Sequence, residues 1–345
     1  MEKTRACIVG LGRIASLLEE DALREKPCTH AGAIAANEDC ILSAGCDTDE
    51  ERRRLFAEKW NVPVFADAKE MLQIHKPQIL SIATHPDSHY HYCKLAAEMQ
   101  VPVVICEKPL ADNIREARKI AKLAEQAAKF PARKNNPIII TNHERRYSQD
   151  YIRAKTILSG EKLGALIAVR AVLYMGKTTK LIDQFWHDGT HLADAIMFLT
   201  DSKLKHKRSW GVKLNSKSGT AWLEGELRKS TTKENNFTAK AHGVIIELGA
   251  GRDHLVFEIE FSCERGRLRI GNGVFEVMES VPSPYAEKFR SLKNTGEQFS
   301  GPTGYFANML KDAAECAQNP QKAPVSGAVN GLQVIEYLNS VKRWR

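Results

Sequence analysis

Short apolar and β-branched runs alternate with longer amphipathic stretches over the first third of the chain, the pattern of βαβ units laid into a parallel sheet. Cys7-Ile8-Val9 reads as the first strand, and Ile41 to Cys46 as the second, ending at Asp47. Thr48 and Glu51 then have the spacing of a capping box, opening a helix through Arg54, Leu55 and Glu58 towards Trp60, with Pro63 beyond its end. Gln78 to Ala83 and Val101 to Cys106 are further strands, and the crossover helix between them runs from His89 to Met99. A long helix from Asn113 to Lys129, a polar connection from Pro131 to Asn136 and a strand from Ile138 to Thr141 complete the region.

After about Tyr147 the pattern changes. Strands from Leu166 to Leu173, Val244 to Leu248, Leu255 to Phe261 and Leu268 to Ile270 follow one another with few helices between them, as in an antiparallel sheet. Phe306 to Ala317 and Gly331 to Trp344 read as helices that close the chain. The expected fold is an α/β Rossmann domain, a doubly wound parallel sheet, over residues 1–145. An α+β domain with a mostly antiparallel open sheet follows over 146–345, its C-terminal helices free to pack back on the first domain.

Composition agrees with two domains: 345 residues at 43% hydrophobic content exceed one ordinary core. The apolar stretch Ala6 to Val9 is cut by glycine before it reaches the length of a signal segment. No apolar run approaches the ~20 residues of a membrane span. None of the eight cysteines forms a C-x-x-C pair, so a zinc site or redox disulfide is not indicated, and reduced core thiols in a cytoplasmic protein are expected. The net charge of +8 includes a basic cluster of Lys203, Lys205, Lys207, Arg208, Lys213 and Lys217, with only Trp210 nearby. Without a stacking platform or recognition helix this is a solvated face rather than a nucleic-acid site, and attraction of an anionic substrate is the functional alternative.

The first candidate chemistry is the turn Gly10-Leu11-Gly12-Arg13-Ile14-Ala15, placed after a strand. Gly10 permits a tight turn, Gly12 lets a pyrophosphate approach the backbone, and Ala15 lets the following helix pack close to the strand. The helix N-terminus offers free N–H groups to phosphate. Asp47, ending the second strand, is placed to accept from both ribose hydroxyls and to repel a 2′-phosphate, which favours NAD over NADP. Arg52, Arg53 and Arg54 are the groups that would favour NADP, but they lie a turn into a helix and are expected to face solvent. The interval from Ala15 to Asp47 exceeds the ~20 residues usual for this unit, and the excess is assigned to Ser16 to Pro27, as an inserted surface loop or an extended helix.

Four motifs in order, Gly10-x-Gly12-x-x-Ala15, Thr84-His85-Pro86-Asp87-Ser88-His89, Glu107-Lys108-Pro109 and His187-Asp188-Gly189-Thr190-His191-Leu192-Ala193-Asp194, resemble the glucose-fructose oxidoreductase and inositol dehydrogenase family (Gfo/Idh/MocA). The resemblance covers essentially the whole chain. It implies a first domain that binds NAD(P) and a second that binds substrate and forms the oligomer, a homodimer or homotetramer. It also implies hydride transfer between the nicotinamide and a secondary alcohol or ketone of a sugar, sugar derivative or cyclitol. Removing hydride from such a carbon requires a group that takes the hydroxyl proton. The resemblance gives that work to Lys108, as base or as polarising group, with His191 as the second proton-handling residue; Asp194, one turn on, either orients that ring or caps or pairs on the helix surface.

Relatives often carry an acid four residues before this histidine; His187 stands there instead and Asp188 is displaced by one, so either is a substrate contact. The resemblance also places Thr84, Pro86, His89 and Glu107 along the cofactor, with His89 equally open to a structural role. Arg146 and Tyr147, in Asn142-His143-Glu144-Arg145-Arg146-Tyr147, fall on a segment beside the substrate. Thr29-His30 lies where relatives often carry a histidine. No metal ligand, nucleic acid or membrane is implied. The scaffold also serves a non-catalytic dinucleotide-binding regulator and enzymes of glycosidase or epimerase type that use NAD transiently, and these are the competing readings.

Overall fold

The computed structural model describes residues 3–129, 137–176, 179–229 and 243–342. The polar connection from Pro131 to Asn136 and the end of the closing helix at Trp344 lie outside them. The chain divides into two compact units, Met1–Ser148 with Pro302–Ile335, and Gln149–Gly301 with Glu336–Arg345.

The first unit is built in chain order from β1 (Thr4–Val9), α1 (His30–Ala36), β2 (Cys40–Cys46), α2 (Glu50–Trp60), β3 (Val64–Phe65), α3 (Ala68–His75), β4 (Ile79–Ile82), α4 (His89–Glu98), β5 (Val103–Cys106), α5 (Ile114–Lys129) and β6 (Ile138–Thr141). Among the described residues its sheet has the order β3-β2-β1-β4-β5-β6, parallel throughout. β4 and β5 are buried at every position, as continuous apolar strands between two helical layers must be. The order reverses between β1 and β4, which opens a crevice at the carboxyl ends of those strands.

Two local readings need correction. The cap of α2 is Asp49, whose carboxylate accepts the Arg52 N–H at 3.0 Å; aspartate is as good a cap as threonine, and Thr48 instead offers its carbonyl to the Arg53 guanidinium at 3.0 Å. The helix after the glycine turn does not run on. The His30 and Ala31 N–H groups donate to the carbonyls of Ile14 and Ala15 at 3.2 and 2.9 Å. Those partners are sixteen positions apart where an unbroken helix has four, so twelve residues are looped out between one helical turn and its continuation as α1.

Twelve is the length of Ser16 to Pro27, and removing it returns the Ala15–Asp47 interval to the usual ~20. The loop contains a short 3-10 turn at Leu17–Glu20 and is tied down by its own carboxylates. Glu19 accepts from the Thr29 hydroxyl at 2.6 Å and the Cys28 N–H at 3.2 Å. Glu25 accepts from the N–H groups of Thr303 and Gly304 at 2.5 and 2.8 Å, which open the helix Tyr305–Gln318 of the same unit. Trp60 donates to Ser16 Oγ at 2.7 Å. Glu25→Ala leaves two helix-end donors without an acceptor and is expected to cost about 1 kcal/mol, read as a shift in urea midpoint; an unchanged midpoint would show that water replaces the carboxylate without loss.

The second unit runs α6 (Gln149–Ser159), β7 (Leu166–Met175), α7 (Leu181–His187), α8 (Gly189–Thr200), β8 (Ser202–Gly211), β9 (Gly219–Lys229), β10 (Gly243–Ala250), β11 (Leu255–Cys263), β12 (Gly266–Gly271), β13 (Val274–Pro282) and β14 (Arg290–Asn294). Its sheet order is β14-β13-β12-β11-β7-β10-β9-β8, antiparallel but for the β7–β10 pair. α9 (Tyr305–Gln318) returns to the first unit, where Phe306, Met309, Leu310 and Ala313 join the core of β1, β4 and β5. The residues of α10 (Ala328–Lys342) are divided between the two units.

Four cations of the basic cluster lie on β8, and Lys207 and Arg208 pair with Glu226 and Glu224 of β9 at 2.9 and 2.5 Å. Trp210 is not alone: it stacks on Trp222 with ring centroids 6.3 Å apart. All eight cysteines are buried and unbridged. Among the described residues no helix is long and apolar enough to cross a membrane, and no group of three or more His, Cys, Asp or Glu is placed to hold a metal ion.

Candidate functional site

β1 ends at Val9 and the backbone reverses at Gly10, whose φ of 84° suits glycine. A Cβ there would lie 2.8 Å from the backbone of Ala83, so the absent side chain is what lets the turn press against the end of β4. In front of Gly12 the space is open, the nearest group being Arg52 Nη1 at 4.0 Å from where a Cβ would stand. Among the described residues nothing accepts the N–H groups of Gly12, Arg13 and Ile14. Three unspent donors at the first turn of a helix, facing open space at the sheet's switch point, fit a pyrophosphate. Ala15 is fully buried, as close packing there requires.

Asp47 closes one side of this turn. It is 7% exposed, accepts the Leu11 N–H on one oxygen at 2.7 Å and the Asp49 N–H on the other at 3.0 Å. Each oxygen keeps a second acceptor site, so the carboxylate both shapes the turn and remains able to take ribose hydroxyls. Two of the three arginines expected to face solvent turn back here. Arg52 Nη1 is 3.7 Å from the Asp47 carboxylate and Arg53 Nη1 donates to the Asp47 carbonyl at 2.8 Å. Only Arg54 is spent on the outer surface, between Glu51 and Glu58.

The segment after β4 carries Thr84, Pro86 and His89. Thr84 and Pro86 are half-buried, and the Ser88 hydroxyl donates to Thr84 Oγ1 at 2.7 Å. His89 is fully buried, with Nε2 3.1 Å from the Thr84 carbonyl and Nδ1 3.2 Å from that of Leu110. Burial pushes its pKa below the usual value, against the pull of those carbonyls, and its two ring nitrogens lie between the Thr84 loop and the loop after β5. With both nitrogens so placed, His89 is left out of the proposed cofactor contacts.

β5 delivers Glu107 and Lys108 to the same carboxyl edge, with the Lys108–Pro109 bond cis. Glu107 is 5% exposed and fully engaged: Oε1 meets His30 Nε2 at 2.9 Å and the Asn142 amide at 2.5 Å, and Oε2 accepts the Lys108 N–H at 3.2 Å. Burial alone would raise its pKa; His30, Asn142 and Lys108 reverse that and hold it below the usual carboxylate value. His30, whose role the sequence leaves open, is thus the far anchor of the Lys108 loop, itself held edge-on by Phe306 with centroids 5.3 Å apart. Asn142 opens the family-like segment in which only Arg146 and Tyr147 are singled out from the sequence.

After β6 the 3-10 turn Glu144–Tyr147 packs under α9. Tyr147 is 2% exposed; its hydroxyl donates to Asp312 at 3.0 Å and its carbonyl accepts from Asn308 at 2.9 Å. Arg146 is also buried and reaches the Val325 carbonyl at 3.4 Å. The expected substrate contact of Tyr147 is therefore withdrawn, because its polar atom points into the core of the first unit.

In the second unit His187 ends α7 with its side chain 75% exposed, paired with Asp188 at 3.1 Å. Asp188 links α7 to α8, and its carbonyl accepts the His191 N–H at 3.1 Å. His191, in the first turn of α8, is 8% exposed and Asp194, one turn on, is 1% exposed. A helix this apolar buries both as part of its packed face.

The fold defines the class, a Rossmann domain followed by an open-sheet α+β domain. Residues 4–131 match the family model described as an oxidoreductase family with an NAD-binding Rossmann fold, Gfo/Idh/MocA. D-glucoside 3-dehydrogenase of Escherichia coli K12 is 30% identical over 129 residues, 37% of this chain and 33% of that one. The chain thus spans about a third of that relative's length. Over the whole chain the likeness is one of fold. An oxidoreductase domain protein from Kribbella flavida superposes with a TM-score of 0.76 at 17% identity, covering 99% of this chain and 97% of that one. A myo-inositol 2-dehydrogenase from Lactobacillus plantarum gives 0.72 at 18%, covering 99% and 97%.

Proposed function

We propose that the chain is an NAD(P)-dependent dehydrogenase that moves hydride between the nicotinamide and a secondary alcohol or ketone of a sugar, sugar derivative or cyclitol. The observation that carries this reading is the buried Glu107 network, which spends a carboxylate, a histidine and an amide on holding Lys108 at the sheet edge that also bears the open glycine turn. The names of the relatives support the substrate class.

Gly12, Arg13 and Ile14 would hold the pyrophosphate and Asp47 the adenosine ribose, along the wall formed by Thr84, Pro86 and Glu107. When bound, the dinucleotide supplies the hydride acceptor. Lys108 meets the reacting oxygen and stabilises the charge that grows on it as the proton leaves. His191 is proposed as a proton partner on the resemblance alone, with Arg146, His187 and Asp188 as substrate contacts of lower rank. A homo-oligomer in the cytoplasm, acting on a small polyhydroxylated substrate, completes the reading; the unbridged thiols are in keeping with that compartment.

A screen of cyclitols, sugars and sugar acids with NAD and NADP, followed by nicotinamide absorbance, tests it. Accumulation of reduced nicotinamide with a polyol supports a dehydrogenase, turnover without accumulation points to transient use of the cofactor, and absence of cofactor binding defeats the proposal. NAD is the preferred dinucleotide because Asp47 stands beside the turn. Asp47→Asn removes the charge but keeps an acceptor for Leu11; it is expected to weaken NAD about tenfold, a lost charge-assisted hydrogen bond, and to admit NADP through Arg52. Unchanged preference between the two in fluorescence titrations would remove Asp47 and Arg52 from cofactor selection.

A further inference from the structure

We propose that Glu144 is a further catalytic residue of the Lys108 site, a carboxylate that takes the substrate's hydroxyl proton while Lys108 holds the same oxygen. The inference rests on the reading of Lys108 given above. β5 and β6 are adjacent parallel strands with Cys106 opposite Thr141, so the residues that follow them leave the sheet side by side. Asn142 confirms the closeness twice, donating its N–H to the Cys106 carbonyl at 2.8 Å and its side chain to Glu107 at 2.5 Å. Glu144 is two residues further on, at the start of the 3-10 turn.

Its neighbours in that turn are committed elsewhere. Arg145 donates to the Tyr305 hydroxyl at 3.3 Å, Arg146 to Val325 and Tyr147 to Asp312. Glu144 is half-buried, and among the described residues its carboxylate has no hydrogen bond and no ion pair. A half-buried carboxylate without a protein donor keeps its acceptor sites open to water or to a ligand. The charged groups that face it are Arg145 on its own turn, Lys108 and Glu107 on the loop after β5, and Arg24 on the inserted loop. Burial raises its pKa, and the three cations offset this only in part. A carboxyl tuned upward beside a lysine is the pairing that separates proton acceptor from oxygen-holding cation.

In the oxidative direction the O–H bond breaks and its proton goes to a Glu144 oxygen, the C–H bond breaks and its hydride goes to the nicotinamide, and the carbon–oxygen double bond forms. Lys108 donates a hydrogen bond to that oxygen throughout. Glu144, being partly exposed, returns its proton to water.

The test is an infrared titration of the full-length protein, with and without NADH, on wild type, Glu144→Gln and Lys108→Met. One protonated-carboxyl band should persist above the ordinary glutamate range, vanish in Glu144→Gln, and titrate still higher in Lys108→Met, where a cation that favours the carboxylate is gone. Identical titrations in wild type and Glu144→Gln, or a band that Lys108→Met leaves in place, would overturn the proposal. NADH affinity of Glu144→Gln should stay within about twofold of wild type; a large loss assigns Glu144 to cofactor or fold and also overturns it. With the polyol found by the screen, kcat/KM should fall at least ~100-fold in Glu144→Gln and lose its acid limb, while Glu144→Asp keeps that limb. If Lys108→Met is inactive and Glu144→Gln keeps the wild-type pH profile, this inference fails and the dehydrogenase reading stands. If Lys108→Met turns over like wild type, the reading itself fails.

Discussion

Lys108→Ala is expected to lower turnover by about 10²- to 10⁴-fold, the range for loss of a positioned acid–base group, while NADH affinity stays within about threefold. The separation follows from how the loop is held. Glu107 binds the Lys108 backbone N–H at 3.2 Å and takes its other bonds from His30 and Asn142, none of which needs the lysine side chain. The donors proposed for the pyrophosphate belong to Gly12, Arg13 and Ile14, on a different strand end. Truncation at Cβ therefore removes a charge from the proposed reacting centre and leaves both frameworks in place. Lys108→Arg should recover little, because a planar fork does not substitute for a compact point donor at one oxygen. Stopped-flow single turnovers and fluorescence titration of NADH measure the two quantities separately. Equal losses in both would make Lys108 a structural residue of the loop.

Much of the first unit was legible because its strands are buried on both faces and so read as unbroken apolar runs. β3 escaped notice because it has two residues, both half-buried. β8 escaped for a different reason: in Ser202–Gly211 few side chains face inward, Leu204 among them, and the outward cations disguise a strand as a solvated segment. The insertion shows where one-dimensional reading stops. Its length and place follow from the interval that a dinucleotide turn imposes, but its conformation does not, since Glu25 is fixed by Thr303 and Gly304, 278 and 279 residues away.

The site divides the same way. Lys108 was identified by its motif, whereas the partners that aim it lie 77 and 35 residues from Glu107. Periodicity cannot tell a polar side chain that is spent from one that is open. His89 and Tyr147 had the residue types of ligand contacts and are occupied by carbonyls and by Asp312. Glu144 lies in the Asn142 to Tyr147 segment without being singled out there, and its carboxylate is left open.

Glu107→Ala is expected to be the most destabilising of these substitutions, by about 2–5 kcal/mol, since two buried polar partners are each left without their acceptor at about 1–3 kcal/mol. His30 and Asn142 are 2% exposed and would keep polar atoms that neither water nor protein satisfies. Glu107→Gln retains the shape and an acceptor, so about 1–3 kcal/mol is expected, the difference between a charged and a neutral acceptor. The two variants also differ from wild type in a pH-dependent way. The folded pKa of Glu107 is lowered, so the charged form favours folding: its contribution is complete above the unfolded value of ~4.3 and is lost as pH falls through the folded pKa. Urea unfolding from pH 7 down to pH 3 should therefore show a constant gap between wild type and Glu107→Gln at the upper end that narrows below about pH 4.3. A gap that stays constant to pH 3 would mean that His30 and Asn142 bind the carboxyl and the carboxylate equally well, and that the network fixes the Lys108 loop by shape rather than by charge.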